Sequence, residues 1–464
     1  MKEFFLPLRD HLAAGLRRQE FTRPGEPGLD LAENLRPTVG GLRAAYSPFA
    51  PDGVIGSWPY PQMFLTSQGI LLATADAFSS LAGEVSTPLV QGLTPGTPWA
   101  LADFLGYMLA TNGAQRVTRG PAEGGGFAWA GLAAEEEPGV PLAGALTNFN
   151  GQAVAGDLPA TWQGAGANWV AWSRIGSIEF TPGPGNVAGF RPMAWPGRVL
   201  AVRQLGQHVM VYGDQGVSYL LPVESPAPTF GLREFDGVSG IAGRLAVCGT
   251  ETVHYFVDDQ GELWRVTDNH ELTWLGYGDF LRPLLAEGLV LSYNRQAQEV
   301  ILSGPTVHYT YSHRAKAMAG PAAGGVSGAA YLGGELVVVG PEAPDLQGAQ
   351  ALLVTAPLDL QKRAITSLEW VEVVGSGVSG LEVAVDFRYS EDASWTRSAW
   401  RPASSEGVAR IGVSGAEYRI CLRCDLRSDL FLSQLNLRWK SQDKRFSRGS
   451  EAINWGQGNP SGAA

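Results

Sequence analysis

The sequence predicts an all-β chain: a β-propeller of six or seven blades with a C-terminal β-sandwich domain and an extended N-terminal arm. Three observations carry that class. The phrases HVMVYGDQGVSYLL from His208 and VHYFVDDQGELWRV from Val253 both turn on Asp-Gln-Gly, with Asp214 and Asp259 45 residues apart. Each has an aromatic three residues after the turn glycine, Tyr219 and Trp264. A period near 40–45 residues is the length of chain that one four-stranded blade consumes. Second, the 60 glycines and 30 prolines among 464 residues are too many for helical bundles and suit tight turns between short strands. Third, 14 tryptophans and a 45% hydrophobic content supply the apolar side chains that a disordered chain lacks.

Taken in order, residues 1–60 read as the arm. One short helix is expected over Leu8–Gln19, after which Pro24, Pro27, Pro37, Pro48 and Pro51 break regular structure. Residues 61–345 read as the propeller. Gly69–Ala75 is a buried apolar run, and Asn112-Gly113 and Asn150-Gly151 are type I′ hairpin dipeptides. Turns then follow near Gly176, Gly216, Gly261 and Gly304, spaced by 40, 45 and 43 residues, and another falls at Gly333-Gly334. Residues 346–442 read as the sandwich. LEVAVDFRY alternates, with Leu381, Val383, Val385, Phe387 and Tyr389 on one face and Glu382, Asp386 and Arg388 on the other. Tyr418, Ile420, Leu422, Cys424 and Leu426 repeat the pattern, as do Leu435, Leu437 and Trp439. Strands of this kind have one dry and one wet face. The polar residues 443–464 read as a flexible tail.

Charge and cysteine usage exclude several function classes. A net charge of −11 gives no electrostatic support for general phosphate-backbone binding. Three cysteines do not make a disulfide framework. The opening MKEFFLPLRDHLAAG, with Glu3 and Pro7 in a short apolar run, does not read as a signal peptide. No run of eighteen apolar residues occurs, so no membrane-spanning helix is expected.

Each candidate for chemistry has a plainer explanation. Cys421 and Cys424 have CxxC spacing, but residues three apart on a strand point to opposite faces and cannot share a tetrahedral metal. Asp258, Asp259 and Glu262 are possible calcium ligands, yet turn-favouring aspartates beside a glycine account for them. His254, His270, His308 and His313 fall on or near strands of different repeats, and no G-x-S-x-G elbow accompanies them. Gly183, Gly185 and Gly189 mimic a dinucleotide loop, but Pro184 interrupts it and no βαβ pattern surrounds it. Ser390 and Asp392 in YSEDASWT approach the S-x-D-x-G-x-T-W hairpin of sialidase-type propellers. Ser394 replaces the glycine there and Trp395 comes early, which supports a hairpin and not glycosidase activity. No catalytic, cofactor-binding or metal-binding residue is therefore expected.

The phrases ENLRPTVGGLR (Glu33–Arg43), LTNFNGQAVAG, NWVAWSRIG, RVLAVRQLGQHVMVYGDQGVSYL, HYFVDDQGELWRVT, LGYGDF and FRYSEDASW run in one order over roughly residues 30–440. In that order they resemble bacteriophage virion proteins, specifically the β-propeller tail hub or nozzle proteins of short-tailed phages and related connector or tail-tube proteins. The resemblance implies a non-enzymatic virion component without a cofactor. It would form a homo-oligomeric ring, a hexamer, stacked on portal or adaptor proteins in the tail. Genomic DNA would pass through the ring's channel without specific binding, and acidic walls would let phosphates slide. The protein would reside in the virion tail, and in the host cytoplasm during assembly, without contacting a membrane. The arm from Pro24 to Pro51 and the sandwich would carry the subunit interface, and a chain lacking residues 1–45 would fold but fail to form rings. Two alternatives stand beside this reading. One is a receptor- or glycan-binding propeller at the tail tip. The other is a glycoside hydrolase propeller drawing its two carboxylates from Asp258, Asp259, Asp279 and Glu299.

Overall fold

In the computed structural model the described residues are 3–18, 26–54, 56–104, 107–119, 133–134, 139–224, 229–332, 335–362 and 364–441. They form an all-β chain of many small antiparallel sheets, with two α-helices, Arg9–Ala14 and Gly278–Leu285. The tail at 443–464 and the Gly333-Gly334 turn lie outside the described residues.

Six sheets follow one another, each beginning with four strands in chain order. The first runs Gln62–Thr66, Gly69–Ala73, Phe78–Ala82 and Val85–Val90. The second, third, fourth and fifth begin at Ala100–Phe104, Ala145–Phe149, Val199–Leu205 and Val247–Thr250. The sixth comprises Val290–Asn294, Glu299–Ser303, Val307–Ser312 and Ala317–Ala323. A seventh pairs only Gly328–Leu332 with Glu335–Val339, and the earlier segment at Phe49 joins it through a parallel bridge to Val339. Ser327 Oγ donates to the Pro61 carbonyl (2.6 Å), tying this last sheet to the strand that opens the first.

The two Asp-Gln-Gly turns form as the sequence predicts, but for different steric reasons. Gly261 has φ +86°, where an L side chain is strained. Gly216 has ordinary φ, but a Cβ there would meet the Trp195 ring at 2.4 Å. Asn150-Gly151, at φ 48° and 76°, makes the predicted I′ turn. Asn112-Gly113 does not: the Asn112 side-chain oxygen accepts from the Ala114 and Gln115 N–H groups and organises a longer loop. Gly176 is also a correction. No strand follows it before Gly189–Pro192, and its N–H donates to the Gly151 carbonyl (2.7 Å). The 40-residue interval ending at Gly216 therefore does not measure one repeat.

The expected N-terminal arm is the largest correction. Glu3–Pro7 pairs with the last strand, Phe431–Ser441, and Leu35–Thr38 with Gly41–Ala44 continues the same sheet. Leu29–Glu33 lies between Ala317–Ala323 and Gln350–Thr355. That insertion fuses the sixth sheet to Glu417–Asp425 and Glu382–Arg388, giving ten strands in one sheet. The predicted helix is shorter than Leu8–Gln19, because Gly15 takes φ 65° and Leu16 bridges Leu29. Leu8, Leu12, Leu16, Leu29, Leu35 and Leu42 are each at most 2% exposed. They share one core with Leu353, Val385, Ile420 and Leu437 of the C-terminal strands, and with Leu263 of the fifth sheet, Leu281 of the helix Gly278–Leu285 and Val300 of the sixth sheet. Of the prolines beyond Pro24, Pro37 falls within a strand, and Leu35–Thr38 tolerates it because it is the edge strand of its sheet, where no ladder N–H is needed; Pro27, Pro48 and Pro51 lie in loops. The sheets ascribed to residues 346–442 are thus built from both chain ends.

Candidate functional site

The first strands of all seven sheets surround one cavity of about 420 Å³. Its walls are Gln62–Leu65, Pro98–Leu101, Gly144–Thr147, Leu200–Arg203, Cys248 with Gly249, Val290–Tyr293 and Ser327–Ala329, and Arg244 and Leu245 also line it. Two arginines line it and, among its described lining residues, no carboxylate. Arg244 is neutralised behind the wall by Asp157 and donates to the Gly144 carbonyl (2.8 Å). Arg203 makes no ion pair or hydrogen bond among the described residues, and it lines the cavity half-buried. Burial holds its guanidinium below the usual range, an effect that Cys248 and Tyr212 partly oppose.

Beside Arg203, His254 Nε2 lies 2.9 Å from the Gln204 carbonyl and Nδ1 lies 2.8 Å from Tyr212 Oη. A carbonyl only accepts, so Nε2 carries the proton and Nδ1 accepts from the tyrosine. Burial, then the Arg203 charge, lowers the His254 pKa to about 3. Burial likewise pushes the Cys248 thiol up to about 12, which leaves it protonated and unreactive at neutral pH.

A second pocket of about 340 Å³ lies between the fifth and sixth sheets, and Tyr293 lines both cavities. Strand register sets Tyr255 opposite Arg265, and the Tyr255 ring stacks on Tyr293 with centroids 5.7 Å apart. Thr250, Thr252, Thr267, Arg295, Gln298 and His313 complete most of the lining, again with no carboxylate. Tyr255 is fully buried, and its hydroxyl has no partner among the described residues. Arg265 Nε is also buried without a partner, while its Nη2 donates to Thr273 Oγ1 (3.2 Å).

The residues singled out in the sequence are not brought together. Asp258 organises its own turn, accepting at Oδ1 from the Gln260 and Glu262 N–H groups (3.0 and 2.8 Å) and at Oδ2 from Trp264 Nε1 (2.7 Å). Asp259 accepts from Ser239 Oγ, and Glu262 faces Arg282 at 3.8 Å. Asp279 is exposed in the first turn of Gly278–Leu285. Cys421 Sγ sits 3.5 Å from Asp386 Oδ2 and Cys424 lies in the apolar core, with burial raising their pKa values to about 12 and about 11. His308 is buried, its Nδ1 2.8 Å from the Gly324 carbonyl, and burial lowers its pKa to about 4. His270 stacks on Tyr219 beside His208, and His313 lines the lateral pocket. Ser390 and Asp392 are exposed in the loop joining Glu382–Arg388 to Thr396–Arg397, and Trp395 lies between Arg388 and Arg419. Gly183 and Gly185 lie in a loop that the Asn186 side chain closes, and Gly189 opens the next strand. Among the described residues no group of three His, Cys, Asp or Glu is placed to hold a metal ion.

Glu299 is buried, and its two oxygens accept from Arg36 (2.9 Å) and Tyr46. Burial raises its pKa above 4.5, outweighing the lowering by Arg36 and the Tyr46 hydrogen bond. Removing Arg36 leaves that carboxylate uncompensated. Arg36→Met is therefore expected to lower unfolding stability in urea by about 3–5 kcal/mol. The double variant Arg36→Met/Glu299→Gln should recover part of the loss. A single-variant effect under about 1 kcal/mol would show the pair to be no stronger than a surface one.

Arg203, Tyr255, Arg265 and Arg295 escaped sequence reasoning because three isolated arginines and a tyrosine on strands and a turn carry no motif, and only sheet-to-sheet packing collects them.

No family model matches the chain, and no curated protein matches it. Among solved structures, the chain is similar to PorZ, a bacterial surface component of the type-IX secretion system of Porphyromonas gingivalis. The TM-score is 0.39 at 10% identity, over 76% of this chain and 46% of that one. The computationally designed Ika8 protein gives a TM-score of 0.39 at 8% identity, over 64% and 98% of the two chains. AztD from Citrobacter koseri gives 0.33 at 10% identity, over 68% and 94%. The matched region spans about half the length of PorZ.

Proposed function

We propose that the seven sheets are the blades of one β-propeller, fused to a β-sandwich, and that the protein is a non-enzymatic structural subunit of a bacteriophage tail or head–tail connection. On this reading copies of the chain form a homo-oligomeric, hexameric ring against portal, adaptor or other tail proteins. The ring surrounds the path by which DNA leaves the virion. The observation that carries the proposal is the ten-stranded sheet running without a break from the sixth blade through Leu29–Glu33 into the C-terminal strands. A continuous ladder and a shared core leave no linker between the two halves, which suits a subunit that must keep its shape in a channel wall. The order of sequence phrases supports the placement in a phage tail.

A cavity of about 420 Å³ is the size of a small-molecule site. The DNA path therefore belongs to the common bore of the ring and not to the axis of one propeller. The hydrolase alternative has less support, since Glu299 and Asp258 are consumed by internal contacts and Asp279 is exposed on a helix.

Native mass spectrometry of the purified protein, alone and with its virion partners, tests the proposal. A closed ring of identical subunits, or a ring that forms on a portal or adaptor complex, is expected. A chain that remains a monomer and joins no virion component would overturn it.

A further inference from the structure

We propose that the lateral pocket between the fifth and sixth sheets binds a phosphate-type oxyanion, held as the phosphomonoester group of a small ligand. The inference stands apart from the phage reading, because it concerns one subunit's own pocket. The chain carries a net charge of −11, yet Arg265 and Arg295 line this pocket without any acidic neighbour among its described lining residues. Arg314 stands just outside, donating to Gln298 Oε1 (3.4 Å) and to the Gln296 carbonyl (3.1 Å). The nearby acid Glu251 is exposed on the adjoining turn and does not line the pocket.

The floor supplies the second observation. Among the described residues the fully buried Tyr255 hydroxyl has no partner, and neither has the buried Arg265 Nε beside it. Native proteins rarely leave such donors idle, because an unmet buried donor forfeits its bonds to water. Thr250 and Thr252 hydroxyls, 3.1 Å apart, share one proton between them and leave another to donate outward. Tyr255 on the floor, Arg265 on the neighbouring strand, and the Thr250–Thr252 turn and Arg295 at the rim thus present donors from several sides. A tetrahedral oxyanion has acceptors for all of them, whereas a carboxylate has two oxygens in one plane. The volume of about 340 Å³ leaves room for more than the phosphate, and the recessed floor excludes a duplex backbone.

Calorimetric titration with inorganic phosphate, glucose 1-phosphate and acetate tests this, with vesicles containing phosphatidic acid as a separate arm. Saturable binding of phosphate and tighter binding of the sugar phosphate are expected, with acetate inert. Arg265→Met should weaken binding tenfold or more, the scale of one lost charge-assisted hydrogen bond. Arg427→Ala, which removes an exposed arginine paired with Asp429, should change nothing. Tyr255→Phe answers the concern that Arg265→Met misfolds. It should weaken binding severalfold while leaving the free protein as stable as the parent, or melting slightly higher, since it deletes only an unpartnered hydroxyl. Vesicle binding lost in the same variants would identify a lipid headgroup as the phosphate source, and its absence would identify a free phosphomonoester. The proposal is overturned by any of three results: no saturable binding up to about 10 mM phosphate, equal binding of acetate, or affinity unchanged in both Arg265→Met and Tyr255→Phe.

Discussion

A chain lacking residues 1–45 is expected not to fold, which reverses the sequence-based expectation of a folded monomer without its arm. Leu8, Leu12, Leu16, Leu29, Leu35 and Leu42 are almost wholly buried. At about 2 kcal/mol for each buried leucine, their loss removes on the order of 12 kcal/mol, which compares with a total stability of about 5–15 kcal/mol for a whole domain. The backbone loss adds to this. Without Leu29–Glu33, both Ala317–Ala323 and Gln350–Thr355 become unpaired edges, and the helix-end bonds from Leu16 to the Met318 carbonyl and from Leu8 to the Leu435 carbonyl vanish. Expression of residues 46–464 should give insoluble protein, or a soluble species without near-ultraviolet circular dichroism or a cooperative melt. A soluble variant that unfolds cooperatively near the parent's temperature would show the N-terminal strands to be dispensable. Residues 1–45 supplied from a separate peptide should restore solubility, since the fault lies in a missing piece of core.

The same strands show where sequence reading ends. The hairpins around Asp214 and Asn150 were legible because turn chemistry is local: an aspartate or asparagine, a glycine and flanking apolar residues lie within a few positions. Even there the pattern conceals the cause, since Gly216 is required by Trp195 and Gly261 by its backbone angle. Gly176 misled because a glycine spaced at blade length looks the same whether or not a strand follows it. The segment LDLAE has no local feature that places it between Ala317–Ala323 and Gln350–Thr355, about 290 and 320 positions further along. Its proline-rich surroundings read as loop. The alternation of Tyr418, Ile420 and Leu422 correctly gave a buried face, but not that N-terminal leucines would share its core. The lateral pocket was invisible for the same reason: Tyr255, Arg265, Arg295 and His313 converge from two sheets, and nothing in their spacing records it.

Acidification from pH 6.5 to pH 5 is expected to remove about 5 kcal/mol of stability, enough to bring the protein close to unfolding. His254 and His308 are buried and His11 is half-buried, and desolvation is the largest cause lowering their pKa values from 6.5 to about 3, about 4 and about 4. Well above pH 6.5 each is neutral in both the folded and unfolded chain and contributes no pH dependence, while at pH 6.5 the unfolded imidazoles are already half protonated. Below 6.5 the unfolded chain takes up protons that the folded chain refuses. Stability then falls by up to about 1.4 kcal/mol per pH unit for each histidine until the folded pKa is reached. Glu299 acts in the opposite sense. Its folded pKa is raised, so protonation favours the folded state as pH falls through the window just above 4.5, and its contribution partly offsets the histidines there. Urea unfolding at half-unit intervals from pH 7.5 to pH 4.5 should show a steep loss beginning near 6.5. His308→Gln removes one titrating group whose Nε2 has no partner among the described residues, and should flatten the curve by removing about 1.5 kcal/mol of the loss. His254→Gln should flatten it similarly but start from a lower stability at pH 7.5, because it also breaks the bonds to Tyr212 and the Gln204 carbonyl. A curve flat between pH 6.5 and 5, or one that neither substitution changes, would mean that these imidazoles reach water in the folded protein.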